Sequence, residues 1–297
     1  MTSPAPFGTV LTAMATAFHA DGSVDLPGTA RIAEHLIDHG HDGVVVSGTT
    51  GEAPTTTVPE DGQILEAVLE AVGDRGYVVA GVGTNSTAHS VELTRQAQKL
   101  GAHGVLVVTP YYNKPSQAGV LHHFGEVARA TELPVMLYDV PGRTGTTIAP
   151  ETYQAASEWD NVVAVKDAVG DYARGVRIMR ETGLAFYSGD DANNLGWLAH
   201  GAVGFVSVAG HACGPQLKAL SEQFRAGDTA AALATFQAML PAIDAIMGVA
   251  NYGATTAKAA LQLQGVLDNR NVRSPLVPLD DDEYAALRVG LVASHII

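Results

Sequence analysis

Gly43-Val44-Val45-Val46-Ser47-Gly48-Thr49-Thr50-Gly51-Glu52, then Thr57-Val58-Pro59-Glu60, then Tyr77-Val78-Val79-Ala80 is the stretch whose reading decides the fold. Gly43–Val46 and Tyr77–Ala80 are short, rich in β-branched residues and not alternating, as expected of parallel strands buried on both faces. Between them Ile64, Leu65, Val68, Leu69 and Val72 fall on one helical stripe. Thr57 and Glu60 have the spacing of a capping box, Pro59 suits the first turn, and Gly73 suits the stop. The stretch therefore reads as strand, loop, helix, strand.

Similar short runs recur on either side: Val10–Ala15, Val105–Val108, Val135–Tyr138, Val162–Val165, Leu184–Tyr187 and Gly204–Val208. Helix-period sequence lies between most of them. The average spacing of about 28 residues is near that of an eightfold barrel of ~250 residues. Eight units favour an α/β fold of the (β/α)8 TIM-barrel type over an open doubly wound sheet. Periodicity does not show closure, so the open sheet stays a possibility at this point. Helical stretches follow at Gln216–Phe224, Thr229–Ile246, Thr255–Leu263 and Asp281–Val292. They predict the eighth barrel helix and a small C-terminal helical appendage, with the barrel over 1–226 and the C-terminal helical region over 227–297.

The chain has 297 residues, of which 46% are hydrophobic and 16% charged, with a mean hydropathy of +0.12. That excludes a disordered chain, which needs low hydrophobicity and dense charge. Its net charge of −14 repels phosphate backbones and anionic bilayers, so neither nucleic acid nor membrane is expected as a partner. Apolar runs read as far shorter than a membrane span, and Met1 to Val10 carries no basic or apolar signal segment, so a cytoplasmic location is expected. The single cysteine, Cys213, excludes an internal disulfide and a cysteine-rich zinc site and is expected to be a buried hydrophobe.

In a barrel the strand ends and the loops after them build the site. Those segments here are Ser47–Glu52, Thr109–Asn113, Tyr138–Gly145, Lys166-Asp167 and Ser188–Asp191. Lys166 stands out among only five lysines. It ends an apolar strand run, whereas Lys99, Lys218 and Lys258 fall in helical stretches and Lys114 in a loop. Desolvation lowers an amine's pKa from about 10.4 toward the ~7–8 useful to a nucleophile. A lysine that merely pairs with an acid at the strand end explains the spacing equally well. His35 and His39 share a helix face and His122 and His123 are adjacent, but no third ligand accompanies them, so they read as surface histidines and no metal is expected. Gly81-Val82-Gly83-Thr84-Asn85-Ser86 lacks the third glycine and following acid of a dinucleotide loop, and no Gly-x-Ser-x-Gly elbow is present. No cofactor is expected. Asp190 and Asp191 are expected to cap the next helix, and Glu52 to orient the threonine loop.

Taken in order, Gly48-Thr49-Thr50-Gly51-Glu52, Pro110-Tyr111-Tyr112-Asn113, Tyr138-x-Val140-Pro141-x-Arg143-Thr144-Gly145, Val165-Lys166-Asp167 and Ser188-Gly189-Asp190-Asp191 are specific as a set. From Gly8 to about Gly265 the chain resembles the dihydrodipicolinate synthase family of pyruvate-dependent class I aldolases, most strongly the actinobacterial type. The resemblance implies a lyase condensing pyruvate with aspartate semialdehyde in the diaminopimelate route to lysine. It implies that Lys166 forms the Schiff base and that Tyr138, Thr49 and Tyr112 relay protons, Tyr112 crossing from a neighbouring subunit of a dimer-based tetramer. It further implies substrate contacts at Thr50, Arg143, Gly189 and the backbone of Val206. Departures are mild: Ala17 stands where relatives often have proline, and Asp139 where many have asparagine. An effector pocket in lysine-inhibited relatives is matched by Asn85, Tyr111, Asp61 and His89. The last two replace a histidine and a glutamate, which implies weak or absent lysine feedback. Sugar-acid aldolases, a metal-dependent aldolase and a catalytically silent acid-binding barrel are the competing readings. The intact residue set and the missing ligands argue against them.

Overall fold

The computed structural model describes residues 5–297; the segment 1–4, part of the leader expectation, lies outside the described residues. Strands β1 (Val10–Ala13), β2 (Gly43–Val46), β3 (Tyr77–Gly81), β4 (Gly104–Val108), β5 (Val135–Asp139), β6 (Val162–Asp167), β7 (Ala185–Ser188) and β8 (Gly204–Ser207) run parallel. β8 pairs with β1 through Phe205 and Val10, which closes the barrel and removes the open-sheet alternative. That close approach requires glycine at the start of β8: a Cβ on Gly204 would sit 2.0 Å from the Thr9 carbonyl oxygen.

Helices α1 (Leu26–Asp38), α2 (Val58–Val72), α3 (Thr87–Leu100), α4 (Gln117–Arg129), α5 (Pro141–Thr144), α6 (Pro150–Ala156), α7 (Tyr172–Thr182), α8 (Asn194–Ala199) and α9 (Gly210–Arg225) alternate with the strands. The capping box at Thr57 and Glu60 forms as the sequence predicts, and Gly73 is the C-cap of α2. Helix α9 begins earlier than expected. The sequence places its start near Gln216, but the backbone is helical from Gly210, broken only by the non-helical Cys213, because a proline's missing N–H disrupts the ladder locally without forbidding a kinked helix. Cys213 is fully buried, as expected.

Helices α10 (Thr229–Met247), α11 (Ala254–Leu263) and α12 (Asp281–Ala293) complete the chain. With α9 they share one apolar cluster that includes Leu217, Leu220, Met239, Ile243, Leu287 and Leu291. α10 corrects the expectation about apolar runs. Over its 19 residues it is long and apolar enough to cross a membrane by length and composition. Its alanines together with Leu, Ile, Met and Phe make it so, and it packs against α9 and α12 through Met239, Ala242, Ile243 and Ile246.

Side chains alternate across the barrel wall. Leu11, Val45, Val79, Met136, Ala164 and Val206 fill the interior, whereas Val44, Val78, Leu137, Val165 and Phe186 pack under the helices. Each buried Val, Leu or Phe contributes roughly 1.5–3 kcal/mol. This alternation places Tyr138 and Lys166 inside the barrel at the carboxyl ends of β5 and β6 and turns Asp139 and Asp167 outward.

Candidate active site

Lys166 and Tyr138 are register partners on adjacent strands. The Lys166 ammonium lies 4.3 Å from the centre of the Tyr138 ring, and the two residues are 4% and 7% exposed. Among the described residues Lys166 makes no salt bridge. Asp191, the acid whose field reaches it, uses its carboxylate elsewhere: it accepts from the Ser207 hydroxyl and from the backbone N–H groups of Val208 at 2.9 Å and Ala209 at 2.8 Å. Burial therefore dominates and lowers the amine's pKa to about 8, with Asp191 opposing and Arg143 adding to the shift. Burial also pushes the Tyr138 phenol above its usual range. The ion-pair reading that spacing left open would need a carboxylate paired with this amine, and among the described residues there is none.

Gly189 lies against the lysine stem; a Cβ there would sit 3.0 Å from Lys166 Cγ, so a larger residue would press the stem aside by a few tenths of an ångström. Thr50 is buried and Thr49 exposed in the loop after β2. Val206 is on β8, fully buried among the interior side chains and paired with Leu11. Arg143 is exposed on α5, with its guanidinium 4.8 Å from the ring centre of Tyr252. Pro141 at the first turn and left-handed Gly145 bound that short helix. Tyr112 is 89% exposed on a left-handed backbone, φ 73°. Among the described residues no hydrogen bond joins the hydroxyls of Thr49, Tyr138 and Tyr112, so this chain by itself holds Tyr138 at the amine and leaves Tyr112 at the surface.

Behind the paired strand ends lies a charged cluster that sequence reading did not reveal. Asp139 accepts from Tyr153 Oη at 3.1 Å, from the Ile148 N–H at 3.2 Å and from Arg174 at 3.2 Å. Arg174 also donates to the Ile148 carbonyl and lies 3.8 Å from Asp167. Asp167 in turn accepts from Val169 N–H at 2.9 Å and Gly170 N–H at 3.1 Å. Burial raises Asp139 to about 6.

Two acidic expectations separate. Asp190 caps the turn that follows, accepting from the Ala192 N–H. Asp191 instead reaches across to the loop after β8, a long-range contact that no local pattern encodes. His123 also departs from expectation. It is 1% exposed, bonds Thr87 Oγ1 at 3.0 Å and is driven to about 4 by burial. Its position on the same α4 face as Val120, Phe124 and Val127 was the available signal. His35 is half-buried, and its ring packs against that of His39 at a tilt of 37°. Lys258 reads in sequence only as a helical lysine, yet it is 1% exposed and paired with Glu52. Tyr252 beside Arg143 was missed too, because it follows α10 by chance of fold and not by any barrel-loop pattern.

The residues matched to an effector pocket lie on the loops and helix starts after β2, β3 and β4. The Asn85 carbonyl accepts from Asn113 at 2.9 Å, which ties it to the loop carrying the half-buried Tyr111. Asp61 accepts from Thr56 Oγ1 at 2.8 Å, and burial holds its carboxyl above the usual carboxylate pKa.

Residues 6–294 match the model of the dihydrodipicolinate synthetase family, beyond the span that the motifs covered. A protein of Acidothermus cellulolyticus named 4-hydroxy-tetrahydrodipicolinate synthase is 54% identical over 291 residues, 98% of this chain and 94% of its own length. The crystal structure of a dihydrodipicolinate synthase from Bacillus anthracis superposes with a TM-score of 0.92 at 40% identity, covering 96% of this chain and 98% of that one. A chloride-inhibited dihydrodipicolinate synthase from Acinetobacter baumannii, solved with pyruvate, gives a TM-score of 0.92 at 34% identity, covering 98% and 99%.

Proposed function

The chain belongs to the dihydrodipicolinate synthetase family, and from that premise we propose that Lys166 performs the chemistry for which its relatives are named. The chain is a lyase of lysine and diaminopimelate biosynthesis that condenses pyruvate with L-aspartate 4-semialdehyde. The observation that carries the assignment to Lys166 is its burial without a paired carboxylate, beside Tyr138 and with its pKa lowered to about 8.

In this reading the free amine attacks C2 of pyruvate and water leaves, giving a protonated imine. The imine withdraws electrons, so a methyl proton departs and an enamine forms. Its terminal carbon bonds to the aldehyde carbon of the semialdehyde, whose oxygen takes up a proton. The semialdehyde's own amine then displaces Lys166, closes the ring and frees the lysine. Tyr138, Thr49 and Tyr112 move the protons. The Thr50 hydroxyl and the Val206 backbone hold the pyruvate carboxylate, Gly189 leaves space at the imine, and Arg143 meets the semialdehyde carboxylate with a fork suited to it.

The exposure of Tyr112 supports a site completed by a second copy of the chain, in a dimer-based tetramer. A cytoplasmic location follows from the same reading. Asp61 and His89 in place of the effector-binding pair support weak or absent inhibition by lysine; inhibition at sub-millimolar lysine in a steady-state assay would overturn that.

The substrate assignment is tested with Lys166→Ala and Arg143→Ala. The first should lower turnover by several orders of magnitude. The second should chiefly damage use of the semialdehyde, raising its KM well above that for pyruvate. Arg143→Ala handling a neutral aldehyde and the semialdehyde with unchanged relative efficiency, compared with the parent, would contradict the Arg143 role.

A further inference from the structure

The loop carrying Thr49 and Thr50 is held from the opposite end of the chain. Ser47 and Glu52, which bound it, both have left-handed backbones, φ 50° and 61°. Non-glycine residues adopt this region at a cost that surrounding contacts must offset. Inside the loop the Glu52 N–H donates to the Thr49 carbonyl at 3.1 Å and the Ala53 N–H to the Gly48 carbonyl at 3.2 Å.

Outside the loop, the Glu52 carboxylate is fully engaged. Lys258 Nζ, on α11, donates to Oε1 at 2.5 Å, and the Arg273 N–H donates to Oε2 at 2.8 Å. Lys258 also donates to the Asn271 carbonyl at 2.7 Å, and its ammonium lies 4.2 Å from the centre of the Phe18 ring. The Arg273 guanidinium lies 4.4 Å from the same ring, donates to the carbonyls of Gly22 and Thr55 and pairs with Glu60 at 2.5 Å.

Both members of the Glu52–Lys258 pair have side chains 1% exposed. An ion pair so deep gains little stability over apolar residues of the same volume, because each charge gives up its hydration. What the pair supplies is direction: two charged atoms at 2.5 Å fix the Glu52 side chain, and with it the left-handed residue that ends the loop carrying Thr49 and Thr50.

We propose that Lys258 is a positioning residue for the pyruvate subsite, acting through Glu52 to hold Thr49 and Thr50 in place. The proposal rests on the assignment of those threonines above. The C-terminal helices are then part of the catalytic apparatus although none of their carboxylates or amines meets the substrate in this role.

The test uses the full chain carrying Glu52→Gln and Lys258→Met together, which replaces the pair by neutral side chains of similar length and leaves no lone buried charge. Glu52→Gln alone is the gentler companion. Lys218→Met is the control; it breaks the Lys218–Asp42 pair, 2.7 Å long and outside the site. The double variant should raise KM for pyruvate by about tenfold or more and KM for the semialdehyde by less than about twofold. Borohydride should still trap pyruvate on Lys166 once pyruvate is saturating. Lys218→Met should lower the melting temperature with both KM values unchanged. A folded double variant, or a folded Glu52→Gln if the double variant does not fold, that binds pyruvate with the parental KM overturns the proposal. Absence of any Lys166 adduct in the parent chain would instead overturn the site assignment, and the positioning role with it.

Discussion

A primary amine attacks a carbonyl only as the free base, so in the role proposed for Lys166 its protonation sets how much enzyme is poised at neutral pH. With its pKa lowered from 10.5 to about 8 by burial, about a tenth of the molecules carry a free amine at pH 7; an ordinary lysine would have under about a thousandth. The charged form is the one burial disfavours, so raising pH increases the reactive fraction. The rate of pyruvate-dependent trapping by borohydride should therefore climb with pH to a midpoint near 8 and then level. A climb continuing to the ordinary lysine range would show that the barrel does not depress the amine. Lys166 was legible in the sequence because an apolar strand run led straight to it. Lys258 was not: it is buried in the same manner, but its partner Glu52 is distant in sequence and its helix reads as one more surface-facing stretch.

Among the elements, β5, β6 and α7 are bound together behind the site by one guanidinium. Arg174 bridges Asp139 and Asp167, the residues that immediately follow Tyr138 and Lys166. Both carboxylates are fully buried, so Arg174→Met would leave two acids without their counter-charge. Removing one partner of a buried pair costs about 3–5 kcal/mol, and denaturant unfolding should show a loss of that order. Protonation of Asp139, already raised to about 6 by burial, should recover part of the loss as pH falls from 7 to 5. A loss under about 1 kcal/mol would mean that the cluster is not a bracket. Strand and helix identities along these elements were readable from β-branched runs, capping box and apolar stripe. The bracket was not, because Asp139 and Asp167 look like ordinary loop acids until strand pairing sets them side by side. The buried His123, by contrast, is readable from the apolar face it shares with Val120, Phe124 and Val127, unlike its exposed neighbour His122.

At the scale of the molecule, closure is what converts scattered motifs into one site. Eight short runs with regular spacing indicated a barrel; pairing of β7 with β6 sets Gly189 beside Lys166, and the pairing of β8 with β1 brings Val206 round to the side of the rim that carries Thr50. The C-terminal helices were recognised by period and not by purpose; packing shows that α11 delivers Lys258 to the threonine loop and that the turn before it brings Tyr252 against Arg143. Charge tells the same story of local against global. The net charge of −14 disfavours polyanions, whereas the proposed carboxylate substrates would meet a few cations that folding gathers. The central claim, that this gathering makes Lys166 the covalent attachment point, is tested most directly by treating the protein with pyruvate and borohydride and mapping the product by mass spectrometry. The account predicts one reduced pyruvate adduct per chain, on Lys166; no adduct, or an adduct on another lysine such as the buried Lys258, would contradict it.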